Sequence, residues 1–362
     1  MSKITNIYFI YIMVLKIFID DSLQSDRFCI LLEISKQHNL LKKYNIEIVD
    51  SHDKSDLIIF LVLSRMNLIN LESKYHYILK TDIPIILLER QDSSISWVRE
   101  FDKIKNLKAV FKNRKCKPKE LQNTNQTYYG KYQYYLVHKK FNLETLITDN
   151  ATDIGISHYP KNKKLPEISP KNLEKIMCVL WDFHSSPLCQ KLSMKYFRYN
   201  NIIFKKKFDV FCVNQKKTNN FVNIPRHKAK QIINSLGNQY QVVTKDLGKE
   251  EYEDIFSQSK IAVACWGFGE WVHMDAYAMY AGVILIKPNT DHVKMYPDIY
   301  KANETYIPCA YDYSDLKQII QNTLKNYNQY IPMLKRNRQM LLKINEENTA
   351  DLFWQKVTKL MK

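Results

Sequence analysis

The chain has 362 residues, room for two domains with separate cores, and its 45% hydrophobic content is that of a globular protein rather than a disordered one. Lysine plus arginine number 54 against 37 aspartate plus glutamate, a formal net charge of +17, so phosphorylated ligands, an anionic membrane surface or nucleic acid are the expected partners. The seven cysteines are an odd count without a C-x-x-C pair, which argues against a disulfide framework, and no His or Cys spacing suits zinc. The cysteines read as thiols of a reducing compartment, which places the protein in the cytoplasm.

The apolar run 7–15, IYFIYIMVL, is too short to span a bilayer and lacks a small-residue cleavage site. It is expected to run into the first core strand, and Met13 is an alternative start, because MVLKIFIDD opens an α/β domain directly.

From there short apolar runs alternate with helical periodicity. The pattern predicts strands over 14–19, 46–49, 56–63, 84–88 and 109–111, with helices over 24–44, 66–79 and 95–104. This is the rhythm of a parallel sheet. No G-x-G-x-x-G follows the first strand; Asp20 and Asp21 stand there instead. Residues 113–169 are poorer in pattern, with a lysine cluster and a tyrosine-rich patch over 128–135, and read as the end of the first domain plus a connection. The run KIMCVLWDFHSSP from Lys175 is expected to cross to a second domain, with a helix over 189–199. A second series then predicts strands over 209–213 and 240–243 and helices over 225–236 and 249–256.

The stretch 259–308 carries the chemistry. It reads as a buried strand over 261–265, a turn holding Gly267 and Gly269, a helix to about Tyr280, a glycine stop and a buried strand over 283–286. Glycines let backbone N–H groups approach a ligand closely, and a helix N-terminus aims unpaired donors and a positive dipole end at the same place. Such a turn suits a nucleotide diphosphate; it is also a common tight connection in α/β proteins.

The residues SKIAVACWGFGE, the helix with Asp275, then AGVILIKP and PDIYKANETYIP resemble the donor-binding half of GT-B glycosyltransferases, nearest the exostosin-like and lipopolysaccharide or capsule type, over about residues 208–316. The resemblance implies an α/β, GT-B-like chain of two Rossmann-like domains facing a cleft. The implied division is 1–175 on the acceptor side, 176–345 for a nucleotide-sugar donor, and 346–362 as a helix packing back on the first domain. Glu270 would contact the donor sugar or the phosphate-bound loop. Where many members carry an Arg-Asp pair and then a ribose-binding acid, this chain has Met274, Asp275 and Tyr277. The ribose contact is therefore in question, and Tyr277 suits the core as well as a ligand.

Sugar transfer needs the leaving diphosphate neutralised, by a metal or by basic groups and a helix N-terminus. No Asp-x-Asp occurs, which favours the metal-free mode without a cofactor. The expected donor-binding set is Asn214, Arg226, Lys230, Gly267, Gly269, Glu270, His273, Asp275 and Lys287, while Trp266 and Trp271 flank the turn and suit either stacking on a ligand or packing. His292 suits a phosphate contact or a helix cap. An inverting reaction also needs a base from the first domain, and Asp92 is preferred over Asp20, Asp21 and His52 because it follows the buried run IPIILLE. The acceptor is expected to be a glycan, a lipid-linked glycan or a protein, with peripheral contact to an anionic membrane. A non-catalytic relative that binds a nucleotide or partner is the alternative; nucleic-acid binding ranks below both, because no RNP-like, zinc-finger or basic-helix motif is present.

Overall fold

The computed structural model describes residues 14–20, 38–62, 76–89, 103–112, 114–116, 169–179, 206–213, 220–267, 269–296, 298–343 and 346–362. Two parallel sheets follow one another along the chain. The first is built from β1 (Leu15–Asp20), β2 (Ile46–Val49), β3 (Leu57–Val62), β4 (Ile85–Glu89) and β5 (Leu107–Lys112). A short β6 (Arg114–Cys116) stands apart, and β7 (Ile176–Cys178) completes the sheet in the order β2-β1-β3-β4-β5-β7. Every adjacent pair is parallel.

Continuous apolar strands such as IILLE follow from this arrangement, since a parallel sheet covered on both faces buries both sets of side chains. Ile58, Phe60, Ile85 and Leu87 turn to one face and pack with Ile78, Ile104 and Leu173. Ile17, Ile19, Leu57 and Ile59 turn to the other, where Ala350, Phe353, Trp354 and Val357 of a helix far along the chain meet them.

The second sheet takes β8 (Phe208–Phe211), β9 (Val242–Val243), β10 (Ser259–Val263) and β11 (Ile284–Pro288). After β12 (Val293–Met295), again apart, β13 (Ile307–Cys309) closes the order β13-β11-β10-β8-β9. All its pairs are parallel too. Numbered within themselves, both sheets wind 2-1-3-4-5, the doubly wound order, and the first adds one more strand. The chain is thus α/β with two Rossmann-like units in series.

The described helices are α1 (His38–Tyr44), α2 (His76–Lys80), α3 (Pro170–Glu174), α4 (Asn220–Asn234), α5 (Lys249–Ser257), α6 (His273–Ala281), α7 (Leu316–Lys325), α8 (Ile331–Lys343) and α9 (Glu346–Met361). Among the described residues no helix is long and apolar enough to cross a membrane. Helix α6 ends where Gly282 takes the left-handed conformation, φ 60° and ψ 48°, and its N–H bonds back to Ala278. Helix α4 begins at Asn220, five residues before the proline expected to open it, and Pro225 lies inside.

Two expectations change. Ile176–Cys178 does not cross to the second unit: it pairs with β5 in the first sheet, and the N–H of Val179 continues the ladder to the carbonyl of Lys112 at 2.9 Å. A boundary at 175/176 therefore cuts through the first sheet. Most of the helices expected over 24–44, 66–79 and 95–104, the tyrosine-rich patch and the helix over 189–199 lie outside the described residues.

The two units are laced together by β6 and β12, which pair antiparallel with Cys116 opposite Val293 and Arg114 opposite Met295. Beside them the Cys178 thiol donates to the carbonyl of Lys294 at 3.1 Å, and Lys115 Nζ donates to the carbonyl of Ile176 at 2.7 Å.

Candidate functional site

In a doubly wound sheet, ligands bind beyond the C-terminal ends of the strands where the winding reverses. In the second sheet that point lies between β8 and β10. The helix after β8, α4, packs its Ala229 and Ile233 on one face with Val210 and Ile261. The helix after β10, α6, packs Ala276, Met279 and Tyr280 on the opposite face with Phe211 and Ala262. The two connections part there, and the glycine turn lies between them.

The turn is tight, with the N–H of Gly267 bonding to the carbonyl of Gly269 at 3.2 Å. A Cβ added to Gly267 would stand 3.4 Å from Arg226 Nη2 and 3.6 Å from Val272 Cγ1. Both are ordinary van der Waals distances, so the guanidinium of α4 lies against the turn after β10 without glycine being required there. Burial pushes the Arg226 guanidinium below its usual range, while arginine remains charged at any physiological pH. A half-buried cation thus lies against the turn that leads into α6, whose own N-terminal dipole is positive.

Behind the turn lies a buried polar network. Lys287, at the end of β11, is fully buried and its Nζ donates to Asp275 Oδ2 at 2.5 Å, to the Glu270 carbonyl at 2.8 Å and to Tyr300 Oη at 2.8 Å. The Tyr300 hydroxyl donates to the same Asp275 carboxylate, and the ammonium sits 4.0 Å from the Tyr300 ring centroid. Asp275, also fully buried, accepts from the N–H of Val272 at 3.2 Å, so it caps the helix it belongs to.

On the other side of Glu270 stand His292, Trp266 and Tyr311. His292 Nε2 is 3.5 Å from Glu270 Oε1, and the Trp266 ring lies 5.5 Å from His292 and 4.9 Å from Tyr311. Burial raises the Tyr311 phenol well above its ordinary value, and the Cys265 thiol and the Glu270 carboxylate add to the rise. Trp266 is 3% exposed, and its Nε1 finds no hydrogen-bond partner among the described residues. The segment that carries His292 is held by Tyr306, whose hydroxyl accepts from both the N–H and the Oγ1 of Thr290 at 3.0 Å.

The structure therefore brings Arg226, Gly267, Gly269 and Glu270 together at the switch point, with His273 exposed as the first residue of α6 and its ring 4.9 Å from that of Trp271. Lys230 lies one turn along α4 and pairs at 3.6 Å with the exposed Asp246, a contact worth little in water. Asp275 and Lys287 are expected among the ligands but face each other inside the protein. Tyr277 is a core side chain, 7% exposed, edge-on to Phe256 at 6.3 Å. Asn214, Asp92 and Asp21 lie outside the described residues. In the first sheet the Tyr77 hydroxyl donates to Asp20 at the end of β1, and His52 stacks flat on Tyr77 with centroids 4.5 Å apart.

Sequence reasoning left out Tyr300, Tyr306 and Tyr311. One signal was present: a lysine closing the apolar strand ILIK has to be paired once buried, and Asp275 with a nearby phenol supplies the partners.

No protein-family model matches the chain, and no curated protein sequence does. Solved structures do. One is titled an α1,3-fucosyltransferase with GDP, 13% identical, TM-score 0.42, with 100% of this chain and 94% of that chain covered. A glycosyltransferase from Rickettsia africae ESF-5 is 12% identical, TM-score 0.42, covering 94% and 83%. An S. aureus MnaA-UDP co-structure is 11% identical, TM-score 0.36, covering 88% and 90%. The chain is similar to these at that level only.

Proposed function

We propose that the protein transfers a sugar from a nucleotide-sugar donor to a glycan, lipid-linked or protein acceptor, with the leaving diphosphate neutralised by Arg226, the glycine-turn amides and the N-terminus of α6 rather than by a metal. The observation that carries this reading is the placement of Arg226 against Gly267 at the winding reversal of the second sheet. A guanidinium forks onto phosphate oxygens, and a glycine turn leaves no side chain between it and the ligand. Glu270, with His292 at its carboxylate and Trp266 and Tyr311 beside them, is the group set that would meet the sugar. The first unit supplies the acceptor-side base. Asp92 keeps that role from its place in the sequence, and Asp20 with Tyr77 and His52 is the described alternative. The odd cysteine count without a C-x-x-C pair and the +17 charge fit a cytoplasmic protein that rests on an anionic membrane surface.

The test is thermal stability against nucleoside diphosphates and nucleotide sugars, with and without EDTA, since a ligand selective for the folded state raises the melting temperature. A selective, EDTA-resistant shift that Arg226→Ala removes is expected. A shift without sugar transfer to any acceptor leaves the second reading, a nucleotide-binding protein without catalysis, which the core position of Tyr277 favours. No shift with any nucleotide sinks both.

A further inference from the structure

We infer that Lys287, Asp275 and Tyr300 are positioning residues that preset the glycine turn and Glu270, and that none of the three is a ligand of the donor. This deepens the glycosyl-transfer reading and rests on it for the identity of the ligand.

Burial and connectivity set these three residues apart. Lys287 and Asp275 are both 0% exposed and, unlike the equally buried Glu270, which faces His292, each spends its charge on the other inside the protein. An ammonium has three hydrogens to donate, and here it makes three contacts that lie on three different segments. One is the main-chain carbonyl of Glu270 in the turn, one is the carboxylate of Asp275 in the first turn of α6, and one is Tyr300, beyond β12. Asp275 passes the tie on by accepting from the Val272 N–H. The end of β11, the turn, the helix start and the segment after β12 are thereby fixed to one point. Displacing Lys287 toward a phosphate would break all three contacts and leave the Asp275 carboxylate buried without its cation, which is strongly unfavourable. Glu270 is held through its backbone, which sets where its carboxylate meets His292. A site built this way is rigid before its ligand arrives, and a pre-set polar site loses less on binding than one that must be ordered.

Tyr300→Phe is the decisive variant because it removes one oxygen and keeps the ring, which packs edge-on to Tyr306 at 5.7 Å. Amide hydrogen exchange over residues 267–275 and nucleoside-diphosphate affinity would be measured in the wild type, Tyr300→Phe and Lys287→Met. In Tyr300→Phe, exchange in the turn and the first turn of α6 should rise about tenfold and affinity should fall by about the same factor, with β10 and β11 amides unchanged. Unchanged exchange over 267–275 in Tyr300→Phe overturns the inference. So does a Lys287→Met protein that loses affinity with its turn still protected, since that result makes Lys287 a direct phosphate ligand. If Lys287→Met does not fold, Tyr300→Phe still decides. A wild type that binds no nucleotide, together with a turn loosened by Tyr300→Phe, would reject the glycosyl-transfer reading and leave the positioning role standing.

Discussion

Each of the two sheets keeps a fully buried lysine at the C-terminal end of an inner strand, but the two are tied down differently. In the first, Lys112 of β5 meets Glu89 of β4 at 3.3 Å, and the two are direct register partners across one strand pair. In the second, Lys287 joins a strand, a turn, a helix start and a following segment. The same charge in the same topological place thus staples neighbouring strands in one unit and braces a loop in the other. A second contrast runs alongside it. The second sheet is covered by helices close to it in sequence, whereas one face of the first is closed by α9.

The largest test removes that borrowed cover. Trp354→Ala empties a site that is 0% exposed, and the expected loss is about 3 to 5 kcal/mol in denaturant unfolding. The corresponding break in the second unit is the double change Lys287→Met with Asp275→Leu. It strands Tyr300 Oη and the Val272 N–H, at a cost of about 2 to 4 kcal/mol. The matching first-sheet change, Lys112→Met with Glu89→Leu, is expected near neutral, as apolar replacement of a buried pair often is. Equal losses in the two double variants would erase the contrast. Between these two, Gly282→Ala places a Cβ on a left-handed residue and should cost about 1 to 2 kcal/mol, read in the same unfolding experiment.

The smallest effect is one of pH. Lys206 lies at the C-terminal ends of α5 and α6, donating to the carbonyls of Ser257 at 2.9 Å and Ala281 at 3.2 Å, and burial lowers its ammonium from 10.5 to about 8. The unfolded chain therefore holds more protons between those values, so this group's contribution makes stability rise as pH climbs from about 8 toward 10.5. The two carbonyls favour the charged form and blunt the rise. Denaturant midpoints at the two ends of the window should differ less in Lys206→Met than in the wild type.

Most strands were legible in the sequence within about two residues, because buried parallel strands announce themselves as short apolar runs between turn residues. β6, β12 and β13 carried no such signal, and β7 is the most instructive exception. Nothing local distinguishes IMC at 176–178 as a sixth strand of the first sheet from the opening of the next unit; its membership is decided by Val110 pairing with Ile176 across more than sixty residues of chain. At the candidate site, the glycine turn and Arg226 were legible because their function is backbone geometry and charge at a predicted strand end. Lys287 and Asp275 were legible as important but not as inward-facing. A polar residue at the end of an apolar strand reads alike whether it points to solvent or to a buried partner, and Tyr300 lies thirteen residues further on.

The packing of α9 has a consequence for synthesis. Lys43 and Tyr44 meet Asp351 across more than three hundred residues, beside the face where Trp354 covers Ile17 and Ile19. A contact of that span forms only after a long loop closes. As the polypeptide leaves the ribosome, the isoleucine-rich face of the first sheet waits for residues 350–357, more than three hundred residues downstream, for part of its cover, and exposed apolar surface of that kind favours aggregation.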